Sequence, residues 1–275
     1  MTTVPHLDMN DDRRIPQLGF GVFKVPPEDT VQTVLFALQT GYRLIDTAAA
    51  YGNEAQVGEA IARSDLDRDE VFVTTKLWND DQGRAEARSA FDHSLDRLGT
   101  DHVDLFLIHW PAPARGRYVD TWETLCELRA EGRARSIGVS NFTVENLERI
   151  IEATDVVPAV NQIELHPHLA QSELRRFHAE RGIVTEAWSP LARGGDLLRE
   201  PVVERIAAAH ERTPAQIVLR WHIELGNVVI PKSVTAARIQ ENHQVFDFSL
   251  SPEEMDSLRQ LESGRRTGPD PTTFG

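Results

Sequence analysis

Short apolar segments recur along the chain, and each is followed by a longer segment whose apolar residues have helical spacing. The short segments are residues 18–21, 44–46, 71–75, 103–108, 136–139, 159–163, 183–187 and 228–230. Strands that are apolar along nearly their whole length are typical of a sheet that is covered on both faces. Eight strand–helix units therefore predict an α/β fold in which a parallel sheet closes into a (β/α)8 TIM barrel.

The helix signals lie in the segments between these strands. Apolar residues at positions 31, 34, 35 and 38 share one helical face, and Gly41 can end that helix. Thr213 followed by Pro214 and Gln216 has the pattern of an N-cap, a proline in the first turn and a capping box. Ser251 begins a second segment of the same kind.

Two parts of the chain lie outside the repeating pattern. Residues 5–17 predict an N-terminal β-hairpin that turns at positions 10–12 and can close the bottom of the barrel. Residues 188–213 predict a loop and an additional helix, so that extra helices lie near the C-terminus. The sequence has no linker, low-complexity tract or shift in composition, and we expect residues 1–275 to form a single domain.

Composition and charge narrow the possible functions. The chain is 40% hydrophobic and 26% charged, which is typical of a folded protein, and its formal net charge is −14. Such a charge disfavours nucleic acid or an anionic membrane as a partner. The first residues have no basic or apolar leader, and no apolar run is long enough to span a bilayer. We expect a cytoplasmic protein that is a monomer.

The single cysteine, Cys126, excludes an internal disulfide and any metal site built from several cysteines of one chain. It lies on the apolar side of a predicted helix. Since free cysteine usually behaves as a small apolar side chain, we interpret Cys126 as a structural thiol rather than a nucleophile.

Polar or aromatic side chains follow seven consecutive predicted strands at the points where the strands end. They are Asp46, Lys76, His109, Ser140 with Asn141, Gln162, Trp188 and Lys232. In a (β/α)8 barrel these ends meet on one face, where active sites form. One ligand site at the mouth of the barrel therefore explains the whole set.

The chemistry centres on Tyr51, which lies in a small-residue loop five positions after Asp46. A free tyrosine has a pKa of about 10, which is high for an acid that works near neutral pH. A nearby Lys76 ammonium is expected to lower that pKa, and Asp46 to hold Lys76. His109 can orient a substrate carbonyl and share in proton transfer. The four residues predict an acid–base site.

A second candidate site would bind an anion. The segment at positions 230–238 follows the last strand and enters a helix, where free backbone N–H groups favour a phosphate. Lys232 and Arg238 add two positive charges there. The fragment at positions 19–21 lacks the third glycine of a dinucleotide-binding G-x-G-x-x-G motif, so the sequence does not indicate a Rossmann domain.

The motifs together resemble the aldo-keto reductase family, and most closely its bacterial 2,5-diketo-D-gluconate reductase branch. The matching stretches run in order from about residue 15 to residue 250: Asp46-Thr-Ala, Tyr51-Gly-Asn-Glu, Thr75-Lys-Leu-Trp78, Leu107-Ile-His-Trp-Pro111, Gly138-Val-Ser-Asn-Phe142, Asn161-Gln-Ile-Glu-Leu-His-Pro167, Ile230-Pro-Lys-Ser233, Gln240-Glu-Asn242 and Val245-Phe-Asp-Phe248.

The resemblance implies a barrel enzyme that reduces an aldehyde or ketone with NADPH. By motif, Tyr51 is the general acid, and Asp46, Lys76 and His109 complete a catalytic tetrad. The resemblance also implies a set of residues that bind the cofactor. The carboxamide site corresponds to Ser140, Asn141 and Gln162, and the face of the nicotinamide corresponds to Trp188. The pyrophosphate loop corresponds to Ser189, Leu191, Ala192 and Gly194. The 2′-phosphate site corresponds to Lys232, Ser233, Val234 and Arg238, and the adenine site to Glu241 and Asn242.

The substrate side is less defined by the sequence. Phe23, Trp78 and Trp110 are candidate apolar walls of the pocket. The segment at positions 111–118 is short for the family, which predicts an open pocket for a small or polar carbonyl compound: a keto-sugar, a dicarbonyl or a small aldehyde. Residues 268–274 resemble a tail that can fold over the site, although their composition also fits a frayed end.

Two alternatives keep the barrel but change the function. His166, His168, Glu164 and His109 could ligate a metal in a barrel hydrolase. We expect no metal, and a chelator should then leave activity unchanged. The other alternative is a non-catalytic, nicotinamide-binding regulatory protein on the same fold, which measurable turnover would exclude.

Overall fold

The N-terminal segment forms the predicted hairpin in the computed structural model, which describes residues 4–275. Strands β1 (His6–Asp8) and β2 (Arg14–Pro16) pair antiparallel, with Leu7 opposite Ile15. The turn between them lies at the predicted positions.

The central sheet contains eight strands within the described residues, and every neighbouring pair is parallel. Its strands lie side by side in chain order. They are β3 (Phe20–Gly21), β4 (Leu44–Asp46), β5 (Phe72–Leu77), β6 (Val103–Ile108), β7 (Ala134–Ser140), β8 (Val160–Glu164), β9 (Val184–Trp188) and β10 (Val228–Val229).

The first and last strands meet, so the sheet is a closed barrel. Leu18 forms a parallel bridge with Val229. The backbone N–H of Gly19 donates to the carbonyl of Val229 over 2.9 Å, and the N–H of Val229 donates to the carbonyl of Gln17 over 3.0 Å. The predicted (β/α)8 barrel is confirmed.

Helices surround the barrel and connect its strands. They are α1 (Pro27–Thr40), α2 (Glu54–Arg63), α3 (Arg84–Leu98), α4 (Tyr118–Ala130), α5 (Val144–Thr154), α6 (Ser172–Arg181), α7 (Pro201–His210), α8 (Pro214–Glu224), α9 (Ala236–His243) and α10 (Pro252–Arg259). Two helices follow β9 and two follow β10, which confirms the extra helices near the C-terminus. None of the helices within residues 4–275 combines the length and the apolar composition needed to cross a membrane.

The helix signals read from the sequence are confirmed. Helix α1 ends at Gly41, whose φ of 117° lies in the left-handed region that favours glycine. Thr213 and Ser251 each form a complete capping box at the start of α8 and α10. An N-cap side chain of this kind contributes about 1 kcal/mol, which helps to fix where these two helices begin.

The barrel wall is packed on both faces, as its apolar strands predict. Every residue of β6 is buried, and Phe106 packs against Phe91 of α3 with ring centroids 4.6 Å apart. Gly138 on β7 lies so close to β8 that a Cβ atom there would come within 2.5 Å of the carbonyl oxygen of Val160. This tight packing fixes the strand ends that carry the site.

Candidate active site

An ion pair buried at the barrel mouth forms the centre of the site. Asp46 is the last residue of β4, and Lys76 lies near the end of the adjacent strand β5. The Lys76 ammonium donates to Asp46 Oδ1 over 2.7 Å, to Asp46 Oδ2 over 2.8 Å and to the carbonyl of Thr47 over 2.8 Å. Lys76 has no solvent exposure, so its charge depends on these partners.

Tyr51 completes a short chain of polar groups. It ends a 3-10 turn, Ala49–Tyr51, that follows β4. Its phenol oxygen lies 3.4 Å from Lys76 Nζ, and its ring lies 5.6 Å from the ring of His109 between centroids. The structure therefore brings together all four residues of the predicted tetrad.

The prediction that the pKa of Tyr51 is lowered is wrong, because the net shift of this pKa is upward. Burial raises its pKa to about 12, and the Lys76 charge acts in the opposite direction but is outweighed. Lys76 gives most of its hydrogen-bonding capacity to Asp46 and Thr47, at distances shorter than the one to Tyr51. The phenol therefore keeps its proton across the neutral range and can donate it.

His109 follows β6 and is uncharged near neutral pH. Burial, together with the nearby Lys76 charge, holds the pKa of this imidazole well below its ordinary value. Its ring packs edge-on against Trp78 with centroids 5.2 Å apart, and its Nδ1 atom has no hydrogen-bond partner within residues 4–275. A neutral imidazole carries one N–H that can donate to a carbonyl oxygen.

Gln162 connects this group to a carboxyl group that the sequence analysis missed. Its amide nitrogen donates to Asp46 Oδ2 over 2.8 Å and to Glu186 Oε2 over 2.9 Å. Glu186 lies on β9 directly opposite Gln162 in the register and is fully buried. An acidic residue inside a strand predicted to be buried was the signal in the sequence that could have identified it.

Ser140, Asn141 and Trp188 form a hydrogen-bonded series across the ends of β7 and β9. The Ser140 hydroxyl donates to the carbonyl of Gln162 over 2.9 Å. The Asn141 amide donates to the carbonyl of His109 over 3.0 Å and accepts from the indole N–H of Trp188 over 2.8 Å. These hydrogen bonds hold the amide and indole side chains beside the tetrad.

The loop after β9 has an unusual backbone. Ser189, Ala192 and Arg193 have φ values of 48°, 46° and 60°, in the left-handed region where residues other than glycine are uncommon. Gly194 follows with a φ of 71°, and Leu191 accepts a hydrogen bond from its N–H over 2.7 Å. Several strained residues in one loop are typical of ligand-binding segments.

The predicted anion site lies on the loop from β10 to α9. This loop is on the same side as the tetrad, because the N–H of Gly21, the register partner of Asp46, donates to the carbonyl of Pro231 over 3.2 Å. Helix α9 begins with no side-chain cap. Lys232 and Arg238 are exposed, and neither has an acidic partner within 4 Å among residues 4–275.

The other predicted residues of this segment differ in exposure. Val234 is 50% exposed, and Ser233 is buried, with its hydroxyl accepting from the N–H of Thr235 over 3.0 Å. On α9, Asn242 is buried and Glu241 is half-buried. The hydrogen bond from Gly21 to Pro231 connects this segment to the strand beside Asp46.

Aromatic side chains lie around Tyr51 and His109. The ring of Phe23 lies 5.0 Å from that of Tyr51, and Trp110 lies 6.3 Å from Trp188, between centroids. The C-terminal tail adds Phe274, whose ring lies 4.6 Å from that of Trp110. Trp110 is consequently only 6% exposed, so the expectation of an open pocket is wrong on this side.

Glu164 at the end of β8 anchors the tail. Its carboxylate accepts from the N–H and hydroxyl of Thr267 over 2.5 and 2.6 Å, and from the N–H of Gly268 over 3.1 Å. Burial acts to raise its pKa, but hydrogen bonds from His166 and Thr267 outweigh burial and lower the pKa to about 2. The tail is therefore folded over the site rather than frayed.

The residues suggested for a metal have other partners. His166 Nε2 lies 3.1 Å from Glu164, and His168 Nε2 lies 2.9 Å from Glu200. Within residues 4–275, no three histidine, cysteine or acidic side chains are arranged to hold a metal ion. The geometry of the described chain thus gives no support to the hydrolase alternative.

Cys126 lies on α4 and is half-buried against the apolar core. Burial raises the pKa of its thiol to about 11. A protonated thiol at neutral pH is a weak nucleophile, which agrees with a structural role.

The closed barrel and the group of Asp46, Tyr51, Lys76 and His109 define a (β/α)8-barrel protein with a cluster of ionisable side chains at the mouth. The model of the Aldo/keto reductase family matches residues 17–263. An aldo-keto reductase of Mycolicibacterium smegmatis is 56% identical over 270 residues, which cover 98% of both chains. This chain belongs to the aldo-keto reductase family.

Solved structures agree with this assignment. A mutant of Gox0644 in complex with NADPH has a TM-score of 0.95 and 46% identity, with both chains covered completely. An aldo-keto reductase of Bombyx mori in complex with NADP has a TM-score of 0.91 and 35% identity, and covers 97% of this chain and 95% of its own. The 2,5-diketo-D-gluconate reductase branch stays a prediction.

Proposed function

We propose that this protein reduces an aldehyde or ketone to an alcohol with NADPH, and that Tyr51 is the proton donor. The observation that carries the proposal is the polar chain from the buried pair of Asp46 and Lys76 to the half-buried phenol of Tyr51, whose ring lies beside that of His109. A phenol in this setting can give a proton to a carbonyl oxygen that becomes negatively charged.

NADPH is the proposed cofactor because relatives of the same fold bind it and because the residues here fit it. The structures of Gox0644 and of the Bombyx mori enzyme are complexes with NADPH and NADP. In this chain, Lys232 and Arg238 are exposed cations with no acidic partner among the described residues, and they lie close to the uncapped start of α9, which suits the 2′-phosphate. NADPH, when bound, supplies the hydride for the carbonyl carbon.

The remaining cofactor contacts are proposed from the residues that the structure brings to the mouth. Ser140, Asn141 and Gln162 would bind the carboxamide, and Trp188 offers an aromatic face to the nicotinamide. The strained loop with Ser189, Leu191, Ala192 and Gly194 would approach the pyrophosphate. Val234 and Ser233 flank the 2′-phosphate, and Glu241 and Asn242 lie where the adenine would bind.

The residues of the chain divide the work of the reaction. His109 would donate its N–H to the carbonyl oxygen and set the position of the substrate. Tyr51 would then transfer its proton to the same oxygen, while Lys76 stabilises the phenolate that remains. Asp46 keeps Lys76 in place, because a lysine without its carboxylate would be costly at this depth.

The substrate is proposed to be a small carbonyl compound with some apolar surface. Phe23, Trp78, Trp110 and Phe274 supply aromatic faces beside Tyr51 and His109. A keto-sugar, a dicarbonyl or a small aldehyde fits such a pocket, since the ring faces bind C–H groups and the tetrad binds the oxygen.

We also propose that the protein acts as a monomer. Within residues 4–275 only Phe23 and Val234 are large apolar side chains with high exposure, and both lie at the proposed site.

Two measurements test the proposal. Tryptophan fluorescence titrated with NADPH and with NADH should show much tighter binding of NADPH. Oxidation of NADPH, followed by absorbance with a panel of keto-sugars, dicarbonyls and aldehydes, should show turnover for members of that panel. NADPH binding without turnover of any carbonyl would favour the regulatory alternative, and binding of neither nucleotide would contradict the proposal.

A further inference from the structure

Glu186 is a fully buried carboxyl group that the proposed reaction does not yet use. It lies on β9, and its only hydrogen bond within residues 4–275 comes from the amide nitrogen of Gln162, over 2.9 Å to Oε2. Its second oxygen, Oε1, is buried and has no hydrogen-bond partner within the described chain. Burying a carboxyl group with a single hydrogen bond costs free energy, which suggests that Glu186 has a functional role at this position.

The hydrogen bonds of Gln162 determine which way its amide points. A primary amide nitrogen has two hydrogens, and here one goes to Asp46 and the other to Glu186. The opposite orientation would turn the amide oxygen towards two carboxyl groups. Both amide hydrogens of Gln162 are therefore used in hydrogen bonds to Asp46 and Glu186. The amide oxygen of Gln162 is the side-chain atom that stays available to a ligand.

Burial, more than the charges around it, makes Glu186 a neutral acceptor. Burial, together with the nearby Asp46 charge, raises the pKa of Glu186 to about 8. The other titratable groups that face it are Lys76 on β5 and Tyr51 in the loop after β4. A protonated Glu186 can still accept from Gln162, and it does so without adding a second negative charge beside Asp46 and Lys76.

We propose that Glu186 is a positioning residue that fixes the amide of Gln162, so that the amide oxygen accepts a hydrogen bond from the carboxamide of the nicotinamide ring. The proposal rests on the proposed function, because it assigns a role within the same cofactor site. Glu186 itself touches neither cofactor nor substrate in this assignment. It acts through Gln162.

The test compares two ligands and two substitutions. NADPH reaches the carboxamide site, whereas adenosine 2′,5′-bisphosphate carries only the adenine and phosphate end of the cofactor. Glu186→Leu removes the acceptor and leaves an amide hydrogen of Gln162 buried and unpaired, which should weaken NADPH about tenfold and leave adenosine bisphosphate unchanged. Glu186→Gln retains an acceptor oxygen, and we expect it to bind NADPH within about twofold of wild type.

The adjacent residue provides a matched control. Thr185 is also buried on β9, but its hydroxyl is 2.8 Å from His178 on the outer side of the strand. Thr185→Val should change neither ligand's affinity. The proposal is overturned if Glu186→Leu binds NADPH as wild type does, if it weakens both ligands equally, or if Thr185→Val gives the same selective loss.

A pH profile adds a readout that a purely structural residue would not change. When Glu186 ionises near pH 8, its negative charge acts to raise the pKa of Tyr51 and makes the phenol a weaker acid. The kcat of wild type should therefore decline as the pH rises through about 8, and Glu186→Gln should remove that decline. The same decline in both proteins would overturn the role of Glu186. Failure of wild type to bind NADPH at all would instead contradict the proposed function.

Discussion

Lys76 places its ammonium nitrogen 3.4 Å from the phenol oxygen of Tyr51, and its ammonium also lies over the Tyr51 ring, 5.0 Å from the centroid. The contact is longer than the hydrogen bonds that Lys76 makes to Asp46 and Thr47. Its effect on Tyr51 is therefore real but secondary to burial. The arrangement keeps the phenol protonated and places a positive charge where the phenolate would form.

The buried pair of Asp46 and Lys76 predicts a coupled loss of stability. Lys76→Met leaves the Asp46 carboxylate buried without its cation, which should lower the free energy of unfolding by about 3–5 kcal/mol. Asp46→Asn together with Lys76→Met should lower it by less than the sum of the two single changes. Urea unfolding of wild type, the two single variants and the double variant measures this coupling. Additive losses of stability would show that the two groups do not depend on each other.

Arg238 is predicted to distinguish NADPH from NADH. Its guanidinium has no acidic partner in the described chain and lies in the first turns of α9. Arg238→Ala should weaken NADPH about tenfold or more and should leave NADH nearly unchanged, because only NADPH carries the 2′-phosphate. Arg205→Ala is the control, since Arg205 is an exposed arginine on α7. Fluorescence titration of each protein with NADPH and NADH measures the two affinities. If Arg238→Ala weakens both nucleotides equally, other residues bind the 2′-phosphate.

Glu164 predicts a contribution to stability that depends on pH. Its pKa is lowered to about 2 in the folded protein, from an ordinary value of 4.5. The stabilisation is therefore complete above about pH 4.5 and is lost as the pH falls towards 2. Glu164→Gln should be less stable than wild type at pH 7, with the difference shrinking in acid. Thermal unfolding between pH 3 and pH 7 measures it, and a difference that does not change with pH would contradict the role of the charge.

The tail predicts an effect on substrate affinity that is separate from chemistry. A Cβ atom at Gly268 would overlap the ring of Trp188, so Gly268→Ala should displace the tail from the mouth. Phe274→Ala should remove the aromatic cover of Trp110 without disturbing the anchor at Glu164. Both variants should raise KM for a small carbonyl more than they lower kcat. An unchanged KM in both would show that the tail does not line the substrate site.

Much of the fold and the tetrad could be predicted from the sequence, because both depend on local signals. Apolar runs mark the strands whatever their neighbours are, and the ends of those strands locate Asp46, Lys76 and His109 on one face. Capping residues such as Thr213 act within their own helix. Most strands begin and end within one or two residues of the predicted limits. For example, β7 begins at Ala134, whereas the sequence predicts residue 136.

The remaining features depend on distances that a sequence does not contain. The net pKa of Tyr51 required the balance between burial and a 3.4 Å contact with Lys76. The pairing of Gln162 with Glu186 required the register between two strands. The anchor between Glu164 and Thr267 joins residues that are 103 positions apart, so no local pattern indicates it.

The central claim is that Tyr51 donates the proton, and Tyr51→Phe tests it most directly. The measurement is kcat for NADPH oxidation with a carbonyl substrate, together with NADPH affinity from tryptophan fluorescence, with Tyr118→Phe on α4 as a control for the loss of a phenol elsewhere. We expect Tyr51→Phe to bind NADPH as wild type does and to lose a factor of about 10² to 10⁴ in kcat, while the control keeps both. A Tyr51→Phe protein with kcat near that of wild type would contradict the mechanism.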